Sequence, residues 1–333
     1  MRRILPKSLI AFSIFLFTIL ALTLSGCSTA NGAQSNDDQD GKLRVISTTS
    51  ILADVVSQVG GDLIHLEVLL PLGADPHSFD PTPRDVAEIA DAQVIFANGA
   101  GLEEFLQRLL ANAQAIERVV YVSDEIHLLE TESELHLEHT DERDGPGEAE
   151  SEDSNAEHDG DPHVWMDPTF VMEWVRRIEQ KLRRIDPDNA SVYETNAARY
   201  LDELQSLDDW IFSQVATIPE SNRQFVTDHR IFGYFAARYD FKQVGAIIPS
   251  FTSMAEPSAQ DLAALEEIID ELDVKVVFVG NTINPSMAQR VSEDTGMQLI
   301  FLYTGSLSEA GGPADNYIDF MRFNVNAIVN GLN

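Results

Sequence analysis

The stretch that decides the fold is LRVISTTSILADVVSQVGGDLIHLEVLL, residues 43–70. Its two ends, 43–48 and 64–70, are rich in apolar and β-branched residues, which is typical of buried strands. Residues 50–60 between them have the apolar period of a helix, and Ser50 is the predicted cap. Two strands connected by a helix lie parallel in one sheet, so this stretch predicts the start of an α/β fold.

The same alternation of strands and helices continues along most of the chain. Further strands are predicted at 93–97, 118–122, 224–227, 241–246, 274–279 and 298–303. Further helices are predicted at 83–92, 102–115, 190–216, 232–239, 258–272 and 317–332, and from residue 286. A long amphipathic helix is predicted after Asp167, its cap, and Pro168 in its first turn. This pattern predicts two mostly parallel-sheet α/β lobes joined by that long helix.

The composition excludes several classes of protein. The 333 residues include 22 Lys and Arg against 55 Asp and Glu, which gives a formal net charge of −33. A surface this negative repels a phosphate backbone, so no nucleic-acid partner is expected. The single cysteine excludes an internal disulfide and any cysteine-rich zinc or iron–sulfur site. The charge favours cationic ligands or simple solvation.

The beginning of the chain has the pattern of an export signal. Three positive charges within residues 1–7 precede 8–24, where 13 of 17 residues are apolar. The run ends in Leu-Ser-Gly-Cys, which resembles the bacterial lipobox, so residues 1–26 are predicted to be a lipoprotein signal peptide and Cys27 the lipidated residue. The alternative is a core cysteine beside an ordinary anchor. Residues 27–42 contain no large apolar residue and are predicted to form a flexible tether outside the cytoplasm.

A strongly acidic segment, 124–161, interrupts the alternation. It contains 16 acidic residues and one arginine. Its apolar residues are too few to bury enough surface to order most of its length. Four histidines occur in it: His127, His136, His139 and His158. The segment is either an inert solvated loop or a weak collector of divalent cations, because imidazole beside carboxylate suits such ions.

Three of the other four histidines occupy similar positions in the pattern. His77 follows the second strand, His163 precedes the long helix, and His229 follows the strand 224–227. Ligands of open α/β sheets bind beyond the carboxyl ends of the strands, so these imidazoles could converge in a cleft. Each could equally be a hydrogen-bonded loop or core residue, and His65, within a strand, is predicted to be structural.

Several motifs at and around these histidines resemble one protein family. They are PHSFDPTPRD at 76–85, NGAGLE at 98–103, DPHVWMDP at 161–168, DH at 228–229 with GYF at 233–235, EPS at 256–258, and the ending from 303 to 317. In these stretches the chain resembles the metal-binding lipoproteins of bacterial ABC importers for zinc and manganese. The resemblance covers nearly the whole chain after the signal.

The resemblance implies a metal site in the cleft between two α/β lobes. The implied divisions are a first lobe at 43–166 that includes the acidic loop 124–161, a rigid connecting helix at 167–186, and a second lobe at 187–333. The implied metal ligands are His77 and His163 from the first lobe and His229 from the second. Three imidazoles suit Zn²⁺, with Mn²⁺ or Fe²⁺ as alternatives. The implied partners are an ABC importer permease and a membrane reached by the lipid anchor, and a monomer is expected.

One position departs from the pattern of the family. Near the end of the chain the family has Asp-Ser-Leu, with the aspartate as a fourth ligand, whereas this chain has Gly305-Ser306-Leu307. A water, Glu309 or Glu256 could take the fourth position instead. The identity of the fourth ligand is therefore open at the level of sequence.

No standard enzyme motif occurs in the chain, so it is not predicted to be an enzyme. A zinc-dependent hydrolase is an alternative, because three histidines and a water also form a catalytic arrangement. A metal-carrying adhesin or scaffold lipoprotein is another. Neither alternative has a motif of its own in the sequence.

Overall fold

Two parallel four-stranded sheets form the framework of the protein. The computed structural model describes residues 41–129 and 160–333, so the signal, most of the tether and most of the acidic segment lie outside it. The first sheet has the order β2-β1-β3-β4, made of β1 (Leu43–Ser47), β2 (Ile64–Val68), β3 (Val94–Ala97) and β4 (Val119–Tyr121). The second has the order β6-β5-β7-β8, made of β5 (Gln224–His229), β6 (Lys242–Ile248), β7 (Val276–Gly280) and β8 (Gln298–Leu302). Every neighbouring pair is parallel.

Helices connect and cover these strands. They are α1 (Ser50–Gly60), α2 (Pro83–Asp91), α3 (Leu106–Asn112), α4 (Pro168–Ile185), α5 (Ala190–Val215), α6 (Gly233–Tyr239), α7 (Ala259–Leu272), α8 (Ser286–Thr295) and α9 (Tyr317–Leu332). The long helix α4 joins the two α/β lobes, as the sequence predicts. Asp167 caps it by accepting a hydrogen bond from the Thr169 amide, and Pro168 occupies its first turn.

One apolar core runs through both lobes. It contains Val45 and Phe96 from the first sheet, Trp174 from α4, and Phe225 and Phe278 from the second sheet. Two smaller clusters lie on the outer faces of the sheets, beneath α2 and α3 in one lobe and α7 and α8 in the other. Each sheet is thus covered on both faces, which explains why β3 and β7 are buried along their whole length.

The structure corrects three local predictions. Thr49, not Ser50, caps α1, because its side chain accepts the hydrogen bond from the Leu52 amide. The helix predicted at 102–115 is only α3, since the buried Leu102 and Phe105 that complete its apolar period lie in the preceding turn. The strand predicted at 224–227 extends two residues further, so His229 is the last residue of β5 rather than a loop residue.

The order of the strands determines where a site can form. In each sheet the first strand in sequence lies between the second and the third. The chain therefore passes from the first strand to one side and then crosses back to the other side to form the third strand. This reversal opens a crevice at the carboxyl ends of the two central strands. His229 lies at that crevice in the second lobe. No helix among the described residues is long and apolar enough to cross a membrane.

Candidate metal centre

Three separate segments bring the histidines to the cleft. His77 lies in the loop between β2 and α2, and His163 directly precedes the short 3-10 turn Val164–Met166 that leads into α4. His229 ends β5. His163 and His229 are buried and His77 is partly buried, so His77 is the histidine nearest to solvent.

The three imidazoles meet at one point. One ring nitrogen from each lies within 4.8 Å of the corresponding nitrogen of the other two. The ring centroids are 5.2 to 5.9 Å apart. His77 Nε2 and His163 Nε2 are separated by 3.2 Å. The structure therefore brings together the three histidines that the sequence singles out.

Two buried carboxylates orient two of the rings. Asp161 Oδ1 accepts hydrogen bonds from the His163 amide and from His163 Nδ1, at 2.9 and 2.7 Å. Asp228 Oδ1 does the same for His229, at 2.6 and 2.7 Å, while its Oδ2 accepts from the Gly280 amide. When Nδ1 carries the proton and donates it to a carboxylate, the lone pair of Nε2 faces the centre of the cluster.

Sequence reasoning did not assign these carboxylates a role. Asp161 stands two residues before His163, and Asp228 stands directly before His229. In the sequence analysis both residues appear only as members of the motifs DPHVWMDP and DH. A short-range Asp–His pairing next to each buried histidine was the signal that could have identified them. Trp165 also packs edge-on against the His163 ring, with centroids 5.2 Å apart, and donates from Nε1 to the Thr304 carbonyl across the cleft.

Burial keeps the imidazoles of His77 and His163 neutral. Loss of solvation, with repulsion from His163 and His229, lowers the pKa of His77 to about 3, although Asp75 opposes the shift. Burial likewise places the pKa of His163 well below its usual value. The same burial raises the pKa of the Asp161 carboxyl to about 7. Neutral imidazoles have lone pairs available to a cation, whereas protonated ones would repel it.

The spacing between the ring nitrogens of His77 and His163 fits a small tetrahedral cation. Two nitrogens at the usual zinc distance in a tetrahedral site lie about 3.3–3.4 Å apart. The 3.2 Å between His77 Nε2 and His163 Nε2 is close to that value. The donor set is also suitable, because imidazole nitrogen binds zinc, copper, nickel and iron well.

The cluster contains no carboxylate from the described residues. Glu256 and Glu309, the acidic candidates for a fourth ligand, are both exposed and do not belong to it. Gly305 is buried beside the site, where a Cβ atom would lie 3.4 Å from Pro76 Cδ and 3.0 Å from Thr282 Oγ1. The chain thus offers three nitrogen donors here and no side chain at position 305.

The remaining histidines lie elsewhere. His65 is on β2, with 57% of its side chain exposed and its Nε2 3.4 Å from Glu67 Oε1, and it does not belong to the cluster. His127 is exposed. His136, His139 and His158, like Cys27, lie outside the described residues.

Residues 45–331 match the family described as ZnuA, zinc-uptake complex component A, periplasmic. The chain belongs to the ZnuA family. It is therefore a metal-binding receptor of an ABC importer and a binding protein rather than an enzyme, so the alternative of a zinc-dependent hydrolase is wrong.

Two relatives of the ZnuA family match over almost their whole length. The manganese-binding lipoprotein MntA of Halalkalibacterium halodurans is 35% identical over 96% of this chain and 97% of its own. The manganese ABC transporter substrate-binding lipoprotein PsaA of Streptococcus pneumoniae is 30% identical over 97% of this chain and 99% of its own.

Solved structures of similar proteins have the same fold. The Mn-bound periplasmic metal-binding protein of Candidatus Liberibacter asiaticus is 26% identical, with a TM-score of 0.72 over 88% of this chain and 100% of that chain. The periplasmic zinc-binding protein TroA of Treponema pallidum has a TM-score of 0.74 at 24% identity, over 88% and 99% of the two chains. Both support the arrangement of two α/β lobes in this ZnuA-family chain.

Proposed function

We propose that this chain captures one divalent transition metal on His77, His163 and His229, zinc in preference to manganese or iron, and delivers it to the permease of an ABC importer. The observation that carries the proposal is the meeting of the three ring nitrogens within 4.8 Å. Two of these rings are held in place by buried carboxylates, as zinc-binding histidines commonly are.

The donor atoms support the choice of zinc. Manganese favours carboxylate, carbonyl and water oxygens, while zinc binds well to imidazole and outranks manganese at most nitrogen sites. Several relatives are named as manganese-binding proteins, whereas the family description names zinc. Membership of the family therefore does not decide the metal, and the choice of zinc depends on the ligands of this chain. With three nitrogens and no carboxylate among the described residues of the cluster, we expect zinc to bind most tightly.

Calorimetric titration of the demetallated protein tests the proposal. Zinc, manganese and ferrous iron are titrated separately, the iron under anaerobic conditions. We expect one site for zinc and an affinity for manganese lower by on the order of a hundredfold. Equal or tighter binding of manganese would overturn the preference for zinc, and no saturable binding of any of the three would overturn the function itself.

Replacing His229 with glutamate is expected to move the preference toward manganese. The change exchanges a nitrogen donor for a carboxylate at the end of β5, and we expect the ratio of zinc to manganese affinity to fall by about tenfold or more. Separate calorimetric titrations with the two metals measure that ratio. The matched control is His229→Gln, which has the same size without the charge and should weaken both metals. A ratio unchanged in His229→Glu would contradict the argument.

Removing the charge of Asp228 is expected to weaken metal binding without removing a ligand. Asp228→Asn replaces one accepting oxygen with an NH₂ group, which cannot accept a hydrogen bond. The variant therefore loses the acceptor for either the His229 ring or the Gly280 amide. Loss of such an orienting partner commonly costs about 10–100-fold in metal affinity, and we expect that range for zinc. Asp240→Asn is the control, because the Asp240 side chain is 90% exposed. Wild-type affinity in Asp228→Asn would show that the carboxylate does not orient the ring.

The receptor works outside the cytoplasm at the membrane, as its lipoprotein relatives do. We propose that residues 1–26 are the signal peptide, that Cys27 carries the lipid, and that 27–42 is the tether. The lipid would hold the receptor near its permease and raise the local concentration there. We expect it to act as a monomer with no nucleic-acid partner.

We further propose a division at 43–166, 167–186 and 187–333 into first lobe, connecting helix and second lobe. Release to the permease would then require the lobes to separate or one ligand-bearing loop to move. The segment 124–161 belongs to the first lobe in this division, and its role as a solvated loop or cation collector stays a prediction.

A further inference from the structure

Tyr234, near the start of α6, contacts the segment that carries His163. The residue is 2% exposed. Its hydroxyl donates a hydrogen bond to the Asp161 carbonyl at 2.6 Å and accepts one from the Leu129 amide at 3.1 Å. The Asp161 amide in turn donates to the Leu129 carbonyl at 2.8 Å. One hydroxyl group therefore holds two stretches of main chain together beside His163.

The hydrogen bond from Tyr234 connects two of the segments that carry the clustered histidines. Asp161 precedes His163 by two residues, and Tyr234 follows His229, the end of β5, by five. The Tyr234 ring also packs edge-on against Phe170 of α4, with centroids 5.3 Å apart, which limits its movement. The bond thus ties the two buried histidines together from outside the cluster itself.

The Asp161 carboxylate depends on such support more than the Asp228 carboxylate does. Both accept through Oδ1 from the backbone amide and the ring of a histidine. Asp228 Oδ2 has a further donor, the Gly280 amide, whereas Asp161 Oδ2 is buried without a hydrogen-bond partner among the described residues. The position of the Asp161 carboxylate therefore depends on its own main chain, which the Tyr234 hydroxyl holds.

The first residue of α6 contacts the same carboxylate from another side. A Cβ atom on Gly233 would lie 2.6 Å from Asp161 Oδ2, which is closer than non-bonded atoms approach. A larger residue at 233 would displace the carboxylate or the helix. The first turn of α6 thus meets Asp161 twice, at its carbonyl through Tyr234 and at its carboxylate through Gly233.

We infer that Tyr234, with Gly233 beside it, is a positioning residue for metal binding: its hydroxyl holds the Asp161 main chain so that the carboxylate keeps the His163 ring turned toward the metal. The inference rests on the proposed function of the three histidines. It adds that a helix of the second lobe sets the orientation of a ligand from the first. Tyr234 acts on the ring through Asp161 and is not itself a ligand.

The ring protons of the two buried histidines report this role without any metal. In the metal-free protein labelled with ¹⁵N-histidine, the Nδ1 protons bonded to Asp161 and Asp228 give two NMR signals, which Asp161→Asn and Asp228→Asn assign. Tyr234→Phe removes only the hydroxyl. We expect it to move the His163 signal to higher field, because its hydrogen bond loosens, and to leave the His229 signal in place. A His163 signal that moves no more than the His229 signal would overturn the inference.

Zinc affinity measures the consequence for the metal site. We expect Tyr234→Phe to weaken zinc binding by about tenfold, at the lower end of the effect of losing a partner of a metal ligand. Tyr239→Phe is the matched control, since the same change in the same helix removes a buried hydroxyl that donates to Asp208. It should lower stability and leave zinc affinity unchanged. Calorimetric titration of both demetallated variants makes the comparison.

Combination with Asp161→Asn tests whether Tyr234 acts through the carboxylate. Asp161→Asn alone should weaken zinc binding by about 10–100-fold. Adding Tyr234→Phe to it should cost less than about twofold more, because losses within one hydrogen-bond network do not add. A further loss as large as that of Tyr234→Phe in the wild-type background would show an independent effect and overturn the inference.

Gly233→Ala disturbs the same carboxylate while keeping the tyrosine hydroxyl. Its methyl group presses on Asp161 Oδ2, and we expect zinc binding to weaken by about tenfold. Gly245→Ala on β6 is its control, because it adds a methyl group 2.5 Å from Leu265 Cδ1, on the outer face of the second sheet. Thermal unfolding without metal verifies that each variant is folded. If Tyr234→Phe does not fold, zinc affinity in Gly233→Ala equal to that in Gly245→Ala overturns the inference.

The outcomes separate the two proposals. Absence of zinc binding by the wild-type protein would overturn the proposed function and this inference with it. Normal zinc binding by the wild-type protein that Tyr234→Phe weakens no more than Tyr239→Phe does would overturn this inference alone.

Discussion

Replacing His163 with alanine is expected to weaken zinc binding by about a hundredfold or more. Structural zinc sites bind with about 10–16 kcal/mol, which is roughly 3 kcal/mol for each of four ligands. His163 is 1% exposed, its Nδ1 is bonded to Asp161, and its Nε2 lies 3.2 Å from that of His77. No neighbouring side chain can replace a buried nitrogen held this firmly. Calorimetric titration of the demetallated variant with zinc measures the loss.

The matched control for this variant is His65→Ala. His65 is the histidine of β2, and its largely exposed side chain contacts Glu67. Its replacement should leave zinc affinity within experimental error. His77→Ala and His229→Ala should behave like His163→Ala, and wild-type affinity in any of these three variants would exclude that histidine as a ligand.

Replacing Asp208 with alanine is expected to destabilise the fold by about 3–5 kcal/mol, because it breaks a buried ion pair and leaves the buried Tyr239 hydroxyl without its acceptor. Asp208 on α5 is 2% exposed and accepts hydrogen bonds from Arg238 Nε and from the Tyr239 hydroxyl, both at 2.7 Å. A second guanidinium nitrogen of Arg238 contacts its other oxygen, and Asp167 lies 3.3 Å from the same arginine. These contacts tie α5 and α6 to the start of α4.

Denaturant unfolding of the metal-free protein measures that loss of stability. Asp209→Ala is the control, since Asp209 is the next residue of the same helix, is exposed, and only accepts from Gln205 at 3.0 Å. It should change the free energy of unfolding by less than about 0.5 kcal/mol. If Asp208→Ala unfolds at the same denaturant concentration as Asp209→Ala, the buried ion pair does not stabilise the joint between these helices.

The strands and most helices could be predicted because their signals are local. The period of apolar residues and the capping residues lie within each segment, so 317–332 and the start of the helix after Asp167 agree with the structure. The helix predicted at 102–115 is too long because the burial of two of its residues is not a local property. Leu102 and Phe105 are buried by tertiary packing in a turn, and a buried turn residue looks the same in sequence as a helical one.

The candidate site was predictable only as a set of positions. The sequence places His77 and His229 just after strands and His163 just before the long helix, but it leaves open whether they meet. Residues His77 and His163 are 86 apart in the chain, and that separation contains no information about the 3.2 Å between their ring nitrogens. The orienting carboxylates and the exclusion of Glu256 and Glu309 from the cluster likewise required coordinates.

By itself the sequence determined the α/β alternation, the acidic surface charge and the three candidate histidines, because each of these is a property of single residues or short segments. The tertiary structure alone decided that three rings from separate segments meet and that Asp161 and Asp228 orient two of them. The reason is that a metal site depends on distances between segments. Those distances are fixed by the packing of α4 and both sheets around a shared core, and no local pattern encodes them.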